Sequence, residues 1–299
     1  MARILLLGST GFVGRGVAHK FLDGGHQLRV LVRDPMKAAA FKVRGAQVVV
    51  GDALNPSDVV QAAQGVEHIV SLVAVRRNHP QSYLAVNVDG ARILGEAAKA
   101  AGARSVVMVS AIGARLDAHY RYFTSRWMGE QELAKTGVAG TILRFSFVLA
   151  EEGGILNDFE RAVVGPFAII PGSGQAQLQP ILREDAARCV VEAIMKPELL
   201  GKIIELGGPE VVTYETVFNW FLQARGIKKP KLKVPVLLLT PAATVMQVLM
   251  RDPPITTDEI NMIQSPNIAS GIDAVSSYFG WRPTAASSWA PVNWQKKAH

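Results

Sequence analysis

Seven residues near the start of the chain have the composition of an anion cradle. Gly8, Ser9, Thr10, Gly11, Phe12, Val13 and Gly14 make a G-x-x-G-x-x-G run between an apolar stretch at 4–7 and helical spacing at 13–22. Gly8 permits a tight turn out of a strand. Gly11 lets backbone approach a pyrophosphate, and Gly14 lets the helix pack closely on the sheet. The free amides and the dipole at the helix start favour an anion. Glycine-rich turns are common in themselves. Placement after an apolar strand and before a helix makes this one a dinucleotide-binding turn.

The end of the second strand selects the cofactor. An Asp or Glu there accepts hydrogen bonds from a ribose 2′-OH and indicates NAD. Here residues 30–32 run into Arg33 and then Asp34. The Arg33 fork suits a 2′-phosphate, with Arg15 or Lys37 in support. The plainer alternative is a solvated Arg33, with Asp34 on the ribose. Because Arg33 comes first, NADP(H) is favoured over NAD(H). Asp52 and Ala53 follow the third strand, where an Asp can reach an adenine amino group, cap a turn, or do both. Val73 and Ala74, at the end of the fourth strand, complete the stretch expected along the cofactor.

These residues need a sheet to position them. Short apolar runs at 4–7, 28–32, 47–50, 68–73, 105–109 and 141–143 alternate with helical stretches at 13–22, 56–64, 84–101 and 126–136. Such alternation points to an α/β, Rossmann-type, doubly wound parallel sheet. The second half loses the alternation and reads as a small, mostly helical C-terminal lobe. Residues 1–150 are expected to form the nucleotide-binding core and 151–299 the lobe, with strand and helix at about 177–206 rejoining the sheet.

Composition agrees with a folded chain. Of 299 residues, 49% are hydrophobic and 19% charged, which excludes intrinsic disorder. The single Cys189, flanked like a buried helix face, excludes a disulfide framework and a Cys-based metal site. Histidines 19, 26, 68, 79, 119 and 299 lack metal-ligand spacing, so no metal is expected. Lys+Arg 32 against Asp+Glu 25 leaves a net charge of +7. That surplus fits nucleic acid, an anionic membrane surface or a phosphate-bearing ligand. No nucleic-acid motif appears, and basic and aromatic residues do not interleave on one element. The N-terminal apolar run is too short for a signal peptide, so a cytoplasmic location is expected.

Taken together, the motifs resemble a known family. The 8–14 turn, Val32-Arg33-Asp34-Pro35, Gly51-Asp52, Asn87-Val88-Asp89-Gly90 and residues 109–114 are similar to the atypical and extended short-chain dehydrogenase/reductase superfamily, NmrA-like and epimerase-like. Leu143-Arg144, Leu178-Gln179-Pro180, Asp185-Ala186 and residues 205–209 look most like the NADPH-binding accessory subunit of respiratory complex I and its bacterial relatives. The resemblance implies a Y-x-x-x-K site with an upstream hydroxyl. In the family the Tyr moves a proton at a carbonyl oxygen, and the Lys lowers its pKa and holds the nicotinamide ribose. A phenol titrates near ~10, so it needs such a cation at neutral pH. Tyr122 matches the Tyr, Arg126 stands where the Lys belongs, and Ser110 is the nearest upstream hydroxyl. Arg does not replace Lys freely at a tight site. Phe145 replaces the Pro of a Leu-Arg-Pro stretch whose backbone passes the nicotinamide. With Phe147 and Leu149 it makes an apolar wall or is core.

Lys228, Lys229, Lys231 and Lys233 precede an uncharged run, 234–250, closed by Arg251. The run is too short and too Pro-interrupted to span a membrane. Thr240-Pro241 suggests a helix over 241–250 with Val245, Met246, Leu249 and Met250 on one face. The segment either packs on the lobe or docks, peripherally, on an anionic membrane or a membrane-bound complex. Two functions follow. One is an NADP(H)-dependent reductase of a hydrophobic carbonyl or quinone-like compound. The other is a non-catalytic, NADPH-holding accessory or assembly subunit of a membrane-bound electron-transfer complex. Oligomeric state is not legible.

Overall fold

The computed structural model describes residues 1–77, 82–118, 120–250, 253 and 255–295; His79, His119, Arg251 and His299 lie outside them. Two units are present: Met1–Phe145 with Arg183–Glu205, and Ser146–Leu182 with Leu206–His299.

In the first unit, β1 (Arg3–Leu7), β2 (Gln27–Val32), β3 (Gln47–Val50), β4 (His68–Ser71), β5 (Ser105–Ala111), β6 (Gly140–Phe145) and β7 (Ile203–Leu206) form one sheet, ordered β7-β6-β5-β4-β1-β2-β3. Ile4 stands beside Leu28 on one flank and His68 on the other, both in parallel. Between the strands run α1 (Gly14–Asp23), α2 (Ala39–Val43), α3 (Pro56–Ala63), α4 (Gly90–Ala100), α5 (Arg121–Lys135) and α6 (Arg183–Ile194). This is the doubly wound Rossmann-type fold. Helices cover the sheet, so the strands are apolar on both faces: Ile4, Leu5 and Leu6 have zero exposure. Leu5, Ile69, Leu94, Val106 and Leu133 join one cluster. Each such side chain contributes about 1.5–3 kcal/mol by leaving water.

Two helices depart from their sequence reading. The expected helix 84–101 opens with a π-helical turn, Leu84–Asp89, before α4. At that turn α5 comes close: a Cβ at Gly129 would lie 2.0 Å from the Asn87 carbonyl oxygen. The helix expected at 126–136 starts at Arg121, so Tyr122 and Arg126 sit one turn apart on a single helix.

The second unit packs Phe159, Tyr214, Phe218, Phe221 and Trp294 around short strands and helices. Thr213 caps the helix Tyr214–Ala224 by accepting the Thr216 amide, as its position suggests. The uncharged run is helical from Val236 to Leu249, with Pro235 as its cap and Pro241 inside. Pro241 forfeits one backbone bond, and the Thr240 hydroxyl donates to Val236 O at 2.9 Å. The Thr257 amide donates to Gln247 Oε1 at 2.8 Å, which ties the helix to Thr257–Gln264. Such contacts favour the whole segment over the shorter helix the Thr-Pro signal marked. Among the described residues, no helix is long and apolar enough to cross a membrane.

Candidate functional site

The sheet order reverses between β1 and β4, where an open α/β sheet leaves a crevice at its strand ends. The 8–14 turn stands there. Gly8 has φ +82°, and a Cβ on it would come within 3.1 Å of the Leu72 backbone leaving β4. A Cβ on Gly14 would lie 2.0 Å from Gly8 O, so the helix start touches the turn. The Gly11 amide closes the turn onto Gly8 O at 3.1 Å. No side chain caps α1 and no acidic residue occupies its first turn. Ser9 is buried, and its Oγ has no partner among the described residues. An uncapped helix start beside an orphaned hydroxyl fits the pyrophosphate of a dinucleotide. Thr10, Phe12 and Val13 are half-buried around it.

Arg33 is exposed just beyond β2. Asp34 caps the next turn: its Oδ1 accepts the Met36 amide at 3.0 Å ahead of Pro35–Ala38. Arg15 donates from Nε to Thr10 O at 3.4 Å. Asp52 also serves its own turn. Its Oδ1 accepts the Leu54 amide at 3.0 Å, and its amide donates to Asp58 Oδ2 at 2.8 Å. Ala53 is half-buried beside it.

After β4, Val73 is half-buried and Ala74 exposed. That strand end is held by a residue the sequence reading did not place in the site. Buried Asn87 accepts the Val75 amide at 3.1 Å and donates to Ser125 Oγ at 3.0 Å. Its signal was its place at the head of the Asn87-Val88-Asp89-Gly90 motif.

Tyr122 is half-buried, edge-on to Tyr83 and Phe123 at 6.1 and 5.3 Å between centroids. Among the described residues none hydrogen-bonds its hydroxyl. Arg126, one turn on, is only 2% exposed. Its Nη2 donates to Val109 O, and its Nε has no partner among the described residues. Ser110 is buried and donates to Glu130 Oε1 at 2.5 Å. Glu130, with zero exposure, holds Arg144 at two points, and Arg144 reaches Glu205 at 3.4 Å. Burial works against the Arg144 charge, but hydrogen bonding and attraction from Glu130 and Glu205 lift its pKa above the usual arginine value. The structure therefore places Tyr122 and Arg126 together and ties Ser110 into a separate buried ion network. The Glu130–Arg144 pairing crosses from helix to strand, which spacing does not announce.

Phe145 is buried at the end of β6, and its carbonyl accepts the Ile112 amide at 3.0 Å. Leu149 is buried in the aromatic core of the second unit, and partly buried Phe147 packs against that core. A cavity of about 400 Å³ beside α5 is lined by Tyr83, Leu84, Thr124, Ser125 and Met128. It uses a different face of α5 from Tyr122 and Arg126. Among the described residues, no group of acids, His and Cys converges to hold a metal.

Known proteins resemble this chain over most of its length. The chain is 24% identical over 236 residues to the Photosystem II assembly factor Ycf39 of Trieres chinensis, covering 79% of this chain and 73% of that one. It is 27% identical over 212 residues to the NAD(P)H azoreductase of Xenophilus azovorans, covering 70% and 69%. The NADPH-dependent quinone oxidoreductase of Escherichia coli, solved with NADPH, superposes with a TM-score of 0.75 at 20% identity, over 96% of this chain and 98% of that one. A family model described as NAD(P)H-binding matches residues 8–197, from the glycine turn through β2–β6 to the helix α6, and the chain belongs to that NAD(P)H-binding family.

Proposed function

We propose that the protein binds NADP(H) in preference to NAD(H) and reduces a hydrophobic carbonyl or quinone-like compound. The observation that carries the cofactor choice is the pairing of an exposed Arg33 with an Asp34 already engaged as a turn cap. A guanidinium at that strand end suits a 2′-phosphate, and one oxygen of the carboxylate that would favour a bare ribose already serves the next turn. The 8–14 turn would hold the pyrophosphate, with Asp52, Ala53, Val73, Ala74 and the Phe145 backbone along the rest of the cofactor. NADPH, when bound, supplies a hydride for the carbonyl carbon. Tyr122 would give its phenolic proton to the carbonyl oxygen. The Arg126 guanidinium offers donors and no acceptor, so its part is to hold and orient. Ser110 would act only by way of Glu130.

Arg126 also favours a second reading. A guanidinium turned to the Val109 carbonyl suits holding more than turnover. In that reading the protein is an NADPH-holding accessory or assembly subunit of a membrane-bound electron-transfer complex, and the nucleotide stabilises it by mass action. In either role the basic segment Lys228–Lys229–Lys231–Lys233 would face an anionic membrane surface or complex.

The test is purification, identification of the bound nucleotide and its reaction with a carbonyl and quinone panel. Oxidation abolished in Tyr122→Phe is expected for the reductase. Cofactor that remains reduced with the whole panel supports the holding role instead.

A further inference from the structure

The helix Val236–Leu249 is inside out. Its one buried residue is Ala243, while Leu237, Leu238, Val245, Val248 and Leu249 are 83, 65, 56, 81 and 77% exposed. At about 100° per residue, Leu237, Val248, Pro241, Val245, Leu238 and Leu249 fall within one arc of roughly 120°. Thr240, Thr244 and Gln247 fall outside that arc. The apolar arc therefore faces solvent, and the polar flank lies toward the Thr257–Gln264 helix, which Gln247 touches. A large apolar face left in water marks an interaction surface.

Charge says what covers it. Residues 216–251 contain Arg225, Lys228, Lys229, Lys231, Lys233 and Arg251 and no Asp or Glu. Removing these six from the chain's 32 Lys+Arg leaves 26 against 25 Asp+Glu, so nearly all of the +7 is concentrated here. Part of that charge is answered within the fold. Lys231 and Lys233 hold Glu215 at 2.5 and 2.7 Å, and Arg225 holds Glu160 at 3.1 Å. Lys228 is exposed, and Lys229 donates to Gly165 O at 2.6 Å.

We infer that Val236–Leu249 is an interfacial anchor: it lies in the plane of an anionic bilayer with the Leu237/Leu238/Val245/Val248/Leu249 arc in the acyl boundary and the preceding lysines at the headgroups. An exposed apolar helix face preceded by a cluster of lysines suits a helix that lies on, and does not cross, an anionic bilayer. At 14 residues it is about 21 Å long, short of the ~30 Å hydrocarbon core. The inference rests on the anionic-surface reading above and sharpens it from charge contact to insertion.

The experiment is co-sedimentation of the full chain with vesicles of phosphatidylcholine alone or with 30% phosphatidylglycerol. The wild-type protein is expected to pellet with the anionic vesicles. Leu237→Gln/Val245→Gln/Val248→Gln/Leu249→Gln should lower its partitioning at least tenfold while the melting temperature holds. Lys228→Gln/Lys229→Gln should weaken binding to anionic vesicles, and added salt should weaken it further. If the glutamine variant binds as well as wild type while the lysine variant does not, insertion is overturned and the charge contact stands. If neither vesicle binds wild type, both are overturned. If the glutamine changes instead dissociate a dimer in solution, the face belongs to a second copy and the membrane anchor is overturned.

Discussion

Two arginines carry opposite assignments because of what surrounds them. Arg33 is exposed where a 2′-phosphate would lie. Charge-assisted hydrogen bonds contribute about 1.5–3 kcal/mol, so Arg33→Ala should cut NADPH affinity roughly 10- to 100-fold relative to NADH. Titration with both nucleotides reads the ratio, and an unchanged ratio removes Arg33 from the phosphate. Arg144 is structural. Its partner Glu130 has zero exposure, so Glu130→Gln would leave a cation in the interior with only Glu205 near it. Breaking a buried pair from one side costs about 3–5 kcal/mol. Urea unfolding should show a loss near the lower figure. Ser110→Ala removes the hydroxyl that donates to Glu130 and leaves the Glu130–Arg144 pair in place, so reductase activity that survived in it would exclude the hydroxyl from the reaction.

Elements meet in this protein through glycines placed where a side chain has no room. Gly14 starts α1 against the carbonyl of Gly8, so close that a Cβ on it would lie 2.0 Å from the Gly8 oxygen. That neighbour is backbone, so the strand–turn–helix junction must open to accept a methyl group. Gly14→Ala is expected to lose nucleotide binding and about 1–3 kcal/mol of stability, as for overpacking elsewhere. Calorimetry with and without NADPH separates the two effects: the variant's transition should fall and no longer shift with nucleotide. Gly129 plays the same part between α5 and the π-helical turn, where it keeps the Asn87–Ser125 hydrogen bond and hence the end of β4 in place.

The molecule as a whole is cationic, with a sequence pI near 9.6, yet its pH response should be set by imidazoles held neutral. Burial keeps the pKa of His68 below the ordinary histidine value; Glu67 opposes this, and Arg104 and His26 reinforce it. Its Nδ1 lies 2.8 Å from Ser105 Oγ. His26 is lowered too, by burial and then by the N-terminal charge. A folded-state pKa below the unfolded one means the unfolded chain takes up protons first. Stability should therefore hold above about pH 6.5 and fall as pH drops below it, until the folded imidazoles also protonate. Urea midpoints between pH 7.5 and 5 check this, and His68→Asn should flatten the slope.

The nucleotide turn and the sheet were legible from residues alone, because both depend on local order: glycines between a strand and a helix, and apolar runs at short spacing. The ion network of Ser110, Glu130 and Arg144 was not, since strand, helix and neighbouring strand meet only after the chain winds. The same limit applies to Leu149 and Phe147, whose aromatic neighbours in the core come from distant sequence. It applies most to the helix Val236–Leu249. Its apolar composition is plain in the sequence, but which side faces solvent depends on the helix it rests against. That docking turns a hydrophobic run, which pattern alone would bury, into an exposed surface.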